Sequence, residues 1–302
     1  MNQFICISGC TASGKSSFAL ELSKYFKNPM IINTDALQVY NCWKILTDRP
    51  SVNEPYHTLY GHVSCASNYS VGDWVKDVSK IFGLNSKKSQ TFIFVGGTGL
   101  YFNALLNGLS QIPQIPKEIR EFANAQDLTF FLEYLEKNDP DVLEKIDIKN
   151  QRRVQRAWEV LKATNKSILY WQSNNASPLV SSDATLLLVE IERESLAKRI
   201  SARVDLMLES GAIKEVEKVY KKCWDINLPF SKAIGAQDII SYLNNGISLD
   251  KLTQNIGLKT RQFAKRQRTW HRNYMKNWIS IDPSKINSSS IQEIVKKVKG
   301  SN

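Results

Sequence analysis

Nothing in this 302-residue chain constrains its fold more than the stretch ISGCTASGKSSF, residues 7–18. Gly9 to Ser16 fit the pattern G-x-x-x-x-G-K-[ST], and Phe4, Ile5 and Ile7 in front of it read as a buried strand. Such a strand–loop–helix turn points successive backbone N–H groups inward, with a helix amino terminus behind them, and so cradles phosphate oxygens. Gly9 and Gly14 let the backbone bend and approach closely. Lys15 is placed to reach the terminal phosphate, and the Ser16 hydroxyl to help hold Mg²⁺. The loop alone fits both transfer of a phosphoryl group and departure of a diphosphate, so other strand ends must decide between them.

The flanking sequence predicts the rest of the sheet. FICIS is followed by the helical SSFALELSKYF, MIINTD by a loop, and TFIFVGG by the helical TGLYFNALLNG. Strands alternating with helices predict βαβ units and a parallel sheet, with ligands gathered at the carboxyl ends of the strands. LSQIPQIPKEIR, with two prolines, reads as a linker; from it to about Ser181 the pattern is helical throughout. The expected fold is therefore α/β, a P-loop-type parallel sheet flanked by helices. Its core would span 1–114 and 182–302, interrupted by an all-helical insertion at 115–181. ATLLLVEI reads as the return to the sheet, Gly211 as a break between two helices, and the segment after Pro283 as a polar, weakly patterned tail. The five cysteines are odd in number and without C-x-x-C spacing, which predicts buried thiols and neither a disulfide framework nor a zinc site. The first strand starts within a few residues of Met1, and no apolar run has transmembrane length. A cytoplasmic protein with no membrane partner is expected.

Two further strand ends carry chemistry. MIINTDALQVY places Asp35 just past an apolar run, where a carboxylate can take a proton or hold Mg²⁺, or can simply cap a turn. In TFIFVGGTGLY the run closes on Gly96, Gly97 and Thr98. A nucleotide hydrolase often has an acid there to hold Mg²⁺ and position water. Glycines would instead let a backbone or flat substrate approach, with the Thr98 hydroxyl beside it.

Lys and Arg total 40 against 29 Asp and Glu, a formal charge of +11 that favours a polyanionic partner. The cations are patterned. In NQRRVQRAWEVL a helical projection puts Arg152, Arg153 and Arg156 opposite Val154, Ala157, Trp158 and Leu161. In TRQFAKRQRTWHRNY, Arg261, Lys265, Arg268 and Arg272 form one stripe, with Phe263, Trp270 and Tyr274 opposite. Like charges at this spacing repel, so the stripe is easier to explain when phosphates neutralise it.

GCTASGKSS, NTDALQVY, GGTGLYFNALLNGL, QRRVQRAWEVL and TRQFAKRQRTW, in that order along the chain, resemble the tRNA dimethylallyltransferase family. The resemblance implies transfer of a dimethylallyl group from dimethylallyl diphosphate to N6 of the adenine 3′ of the anticodon, on a tRNA anticodon stem-loop. It implies a diphosphate site at Gly9, Cys10, Thr11, Ala12, Ser13, Gly14, Lys15 and Ser16, Mg²⁺ held partly by Ser16, and Asp35 and Thr98 as catalytic groups. Lys232, where members carry Arg or another polar residue, becomes a candidate diphosphate contact. Contacts to tRNA are implied at Asp35, Ala36, Leu37, Gln38, Thr98, Arg120, Gln151, Arg152, Arg153, Val154 and Gln155. The residue reading adds Arg261, Lys265 and Arg268. A monomer is expected, and the absence of a zinc-finger pattern after the basic helix matches the bacterial type. The chain departs from the family at Cys10, usually Pro, at Ala36 and Leu37, usually Ser and Met, and at Ala236, where Tyr is common. NCWKILTDRP also strays. The rival readings are a P-loop small-molecule kinase using ATP, which leaves the basic stripes and Gly-Gly-Thr unexplained, and a non-catalytic RNA-binding protein whose loop holds nucleotide structurally.

Overall fold

Six parallel strands form the sheet of the computed structural model, which describes residues 2–51, 56–85, 89–174 and 176–300. In chain order the elements of the amino-terminal part are β1 (Gln3–Gly9), α1 (Lys15–Ser23), β2 (Pro29–Asn33), β3 (His57–Thr58), α2 (Val71–Leu84), β4 (Thr91–Gly96) and α3 (Gly99–Asn107). The central helices are α4 (Lys117–Asn124), α5 (Leu128–Asn138), α6 (Pro140–Lys145), α7 (Gln151–Thr164) and α8 (Ile168–Ser173). The carboxyl-terminal part adds β5 (Thr185–Val189), α9 (Arg193–Glu209), α10 (Ala212–Cys223), α11 (Ala236–Leu243), α12 (Leu249–Tyr274), β6 (Ile279–Ile281) and α13 (Ser288–Gly300).

The strand order is β3-β2-β4-β1-β5-β6, with every pairing parallel. β1 lies between β4 and β5, which places the phosphate loop at the centre of the sheet's carboxyl edge. β4 is buried along its whole length, as expected when helices cover both faces of a parallel sheet. Ile5, Ile7, Ile31, Ile93 and Leu187 face Phe18 and Leu22 of α1 and Ile291 and Val295 of α13. On the other face Trp74 and Phe82 of α2 pack against Phe94 and Phe92. A second apolar cluster joins Tyr40 and Trp43 to Val204, Val216, Phe230, Ile239 and Ile256, from helices after β5. Among the described residues no helix is long and apolar enough to cross a membrane, and the cysteines are free.

Three elements escape the sequence pattern. β3 and β6, of two and three residues, are too short to show alternation. α13 occupies the tail expected to be unpatterned, burying Ile291, Val295 and Val298 at helical spacing. Gly211, with φ 101°, does separate α9 from α10.

The chain divides into two compact units, 1–104 with 180–302, and Leu105–Leu179. The second unit contains helices and no strand among its described residues. It begins some residues before the expected boundary because its entering and leaving segments pair: Leu179 N–H donates to Leu105 O (3.0 Å) and Ala176 N–H to Leu109 O (3.2 Å). Its core is aromatic, with Trp158 of α7 among Phe122, Phe130, Phe131 and Tyr134.

Candidate active site

The phosphate loop, Cys10 to Gly14, leaves β1 and enters α1 through Gly14, whose φ of 91° only glycine adopts without strain. Gly9 closes β1 and Lys15 opens α1. The Ser13 side chain is buried, Ser16 is exposed at the helix start and Lys15 is half-buried. Lys15 Nζ donates to Cys10 O at 3.4 Å. Burial pushes its ammonium below the ordinary lysine value, against the pull of the Asp35 carboxylate, with Arg203 adding to the depression. A lysine whose charge burial disfavours gains by having an anion near it.

A cavity of about 580 Å³ opens on this loop, lined by Ala12, Gly14, Lys15 and Ser16. Its opposite wall carries Lys44, Asp48, Arg49, Arg199 and Arg203. Arg199 and Arg203, one turn apart on α9, also brace the loop: Arg199 Nη1 donates to Ser13 O (3.3 Å) and Arg203 Nη1 to Thr11 Oγ1 (3.2 Å). Asp48 stands 3.5 Å from the same Arg203 nitrogen. The sequence reading missed both arginines, although their i, i+4 spacing after β5 was a visible signal. It placed Lys232 here instead. Lys232 is not among the residues lining this cavity and donates to Ile226 O (3.0 Å). It ends the 3₁₀ turn Pro229–Lys232, anchored by Phe230 packed against Trp43 and Tyr40.

The ends of β2 and β4 meet beside the loop. Asp35 Oδ1 accepts from Leu37 N–H (2.9 Å) and Gln38 N–H (3.3 Å), while Oδ2 makes no hydrogen bond among the described residues. Asp35 is therefore a turn residue through one oxygen, with the other left unbonded among the described residues. Buried Asn33 fixes it, accepting Asp35 N–H at Oδ1 (2.8 Å) and donating to Asp35 O (2.9 Å). Thr98 joins the strand ends: its Oγ1 accepts Ala36 N–H (3.1 Å) and its N–H donates to Thr34 O (3.2 Å). Leu37 packs on the apolar cluster, and the Gln38 amide NH₂ donates to Thr47 O and Asp48 O.

Gly96 and Gly97 are points of close approach, as expected. A Cβ on Gly97 would stand 2.1 Å from Gln267 Nε2 and 3.1 Å from Gly9 O, and one on Gly96 2.3 Å from Thr34 O, so backbone is among the groups that approach. Buried Gln267 of α12 donates to Gly97 O (3.0 Å) and accepts Thr11 N–H at Oε1 (2.9 Å), tying the β4 end to the phosphate loop. Cys10, where a proline would have no side-chain donor, donates its thiol to Ala264 O (3.6 Å). The buried stripe of α12 is thus Thr260, Ala264, Gln267 and His271, running between the cationic and aromatic stripes. Arg261, Lys265 and Arg272 are exposed, and Arg268 leans into a narrow cleft with Glu190 and His271.

His271 Nε2 lies 3.2 Å from Ser8 Oγ, and burial pushes its pKa down to about 4. Because the folded pKa is below the unfolded value near 6.5, the unfolded chain takes up the proton first. Stability is then full above about pH 6.5 and falls by about 3 kcal/mol as pH drops toward 4. Chemical denaturation of wild type and His271→Asn across that range checks this: the variant should lose most of the slope.

In the helical unit, Gln151, Arg152 and Arg153 are exposed at the start of α7. Arg156 pairs with Glu159 (3.5 Å) and has Arg120 as a cationic neighbour. Gln155 donates to Asn124 Oδ1 (2.9 Å) and Glu159 Oε1 (3.0 Å). Val154 is fully buried in the core, so its side chain cannot meet a partner, as its place opposite the arginines required.

The family described as IPP transferase matches residues 38–274. A tRNA dimethylallyltransferase of Ruegeria sp. (strain TM1040) is 41% identical over 287 residues, 93% of this chain and 96% of that protein. One of Pelagibacter ubique (strain HTCC1062) is 39% identical over 307 residues, covering 99% and 96%. Among solved structures, the tRNA isopentenylpyrophosphate transferase of Bacillus halodurans superposes with TM-score 0.72 at 27% identity, covering 100% of this chain and 98% of that one. A eukaryotic dimethylallyltransferase acting on tRNA superposes with TM-score 0.82 at 24% identity, over 98% and 78% of the respective chains, and supports the fold.

Proposed function

The chain belongs to the IPP transferase family, and from that premise we propose that it transfers a dimethylallyl group from dimethylallyl diphosphate to N6 of the adenine 3′ of the anticodon in tRNA, releasing diphosphate. The observation that carries the chemistry is the pairing of a phosphate loop ending β1 with an acid ending β2, and a half-buried ammonium, Lys15, under the field of Asp35. No acid closes β4, where Gly96, Gly97 and Thr98 stand, which disfavours a water-activating hydrolase.

In this reading the C1–O bond of the donor breaks and negative charge grows on the departing diphosphate. Lys15, Arg199 and Arg203, gathered around the cavity at the loop, would offset that charge. The adenine N6 forms the new C–N bond and gives its proton to Asp35 Oδ2, while Thr98 holds the Asp35 turn through Ala36 N–H. The base reaches such a site by leaving its stack, which is cheaper in an anticodon loop than in a duplex.

No group of three or more His, Cys, Asp or Glu among the described residues could hold a metal by itself. Exposed Ser16 beside Lys15 nonetheless fits Mg²⁺, which takes few protein ligands and several phosphate or water oxygens. Bound by Ser16 and the donor's own oxygens, Mg²⁺ would supply charge neutralisation of the leaving group.

For tRNA, Arg120, Gln151, Arg152 and Arg153 of the helical unit and Arg261, Lys265 and Arg268 of α12 are the proposed contacts. The helical unit serves as a tRNA-binding insertion, and the protein acts as a cytoplasmic monomer without a membrane partner. Arg152→Ala with Arg153→Ala should weaken tRNA binding about tenfold at moderate salt and lower the salt slope by about 2, leaving the donor KM unchanged. Filter binding across a salt series reads both.

The test of the function is transfer of radiolabel from dimethylallyl diphosphate to tRNA lacking the modification, in Mg²⁺, with an ATP-only reaction in parallel. Label in tRNA with ATP untouched supports the transferase. ATP turnover without label would return the loop to the kinases.

A further inference from the structure

The outer wall of the donor cavity is a loop, not a helix or strand, and something must hold it. Lys44, Ile45, Asp48 and Arg49 all line the cavity, yet 41–50 contains no regular element. The restraint comes from α10. Glu215, in its first turn, accepts Lys44 N–H (2.8 Å) and Ile45 N–H (2.9 Å) at Oε1, and Leu46 N–H (2.8 Å) at Oε2. Three successive backbone N–H groups converging on one carboxylate form the same kind of nest that elsewhere captures a free anion. Here the anion is the protein's own, and each bond is charge-assisted.

The anchor is aimed. Ile45 Cδ1 lies 3.9 Å from where a Cβ on Gly211 would stand, at the α9–α10 junction, and Leu46 is buried in the apolar cluster below. Beyond the anchored residues the chain turns back through Asp48, at φ 53°, to Arg203 of the cavity wall. Arg49 follows, with Nε bonded to Trp43 O (2.9 Å) and a buried Nη1 that finds no hydrogen-bond partner among the described residues. That nitrogen lies over Gly61, while Arg49 as a residue joins Lys44, Lys15, Arg199 and Arg203 in the cavity lining.

We infer that Glu215 is a positioning residue for the donor: its carboxylate holds the 44–46 backbone so that Lys44 and Arg49 keep their places in the cavity lining and complete the cationic wall around the diphosphate. Glu215 touches neither donor nor tRNA; it acts through the loop. The inference rests on the proposed donor site, and it assigns to one carboxylate the donor affinity of a segment whose own sequence strays from the family pattern.

The test uses the full chain and two readouts, steady-state transfer and equilibrium binding of inorganic diphosphate with Mg²⁺ by titration calorimetry. Glu215→Ala should raise the donor KM and the diphosphate dissociation constant together by about tenfold, with kcat and tRNA KM within about twofold of wild type. Glu215→Gln retains Oε1 for Lys44 and Ile45 but sets an amide NH₂ against Leu46 N–H, so its effect should fall between wild type and Ala. That graded order keeps the inference testable if the Ala variant fails to fold. A lowered melting temperature with unchanged donor KM and diphosphate affinity would make Glu215 merely structural and overturn the inference. Wild-type protein that binds no diphosphate would overturn the donor site itself, a separate failure.

Discussion

Asp35→Asn should leave the fold and tRNA affinity intact and lower kcat for dimethylallyl transfer by roughly 10²–10⁴-fold, the usual worth of a positioned general base. Asparagine is the informative substitution because the structure gives the two carboxylate oxygens different work. Oδ1 holds Leu37 and Gln38 N–H, and an amide oxygen can do the same. What asparagine lacks is a basic second oxygen and the negative charge that Lys15 feels. Asp35→Ala removes the turn as well and should add a stability loss of about 1 kcal/mol, the worth of a lost cap. Single-turnover transfer with saturating donor, together with thermal unfolding, separates the two losses. Near wild-type turnover in Asp35→Asn would reduce Asp35 to its turn.

The carboxyl edge of the sheet was legible in the sequence because each strand there is a continuous apolar run that stops at a polar residue. β1 stops at the phosphate loop, β2 before Asp35 and β4 at Gly-Gly-Thr. What remained hidden are contacts made by residues far along the chain. Gln267, Arg203 and Arg199 reach the loop across 256, 192 and 186 positions, and nothing local marks a glutamine inside a cationic helix as buried. Lys232 was a candidate through resemblance alone, and no local pattern marks its donation to Ile226 O or the packing of Phe230 on Trp43. Gly96 and Gly97 were legible as points of close approach, where the Thr34 and Gly9 backbones come near, but the Gln267 side chain that also approaches Gly97 was not. The edge strands β3 and β6 and the helix α13 were illegible for want of length or contrast, not because their residues disfavour those states.

Gln267→Leu should produce the second large effect. A leucine of similar volume fits the space between the loop and β4 but leaves Thr11 N–H and Gly97 O without the partners they have now. A buried polar group left unsatisfied costs about 1–3 kcal/mol, so unfolding free energy should fall by about 2–5 kcal/mol. The catalytic loss should exceed what stability alone explains. Gln267 bridges the phosphate loop after β1 and the strand end carrying Thr98, which in turn holds the Asp35 turn through Ala36. A displacement on the order of 1 Å between reacting groups costs about 10²-fold in rate, so kcat for transfer should drop by that factor in protein still folded at the assay temperature. The check is kcat measured well below the melting temperature of both proteins. A variant less stable by the expected amount but transferring at the wild-type rate would show that loop and acid hold their spacing without the bridge. The alignment of the two strand ends would then rest on the direct Thr98–Thr34 and Thr98–Ala36 bonds alone.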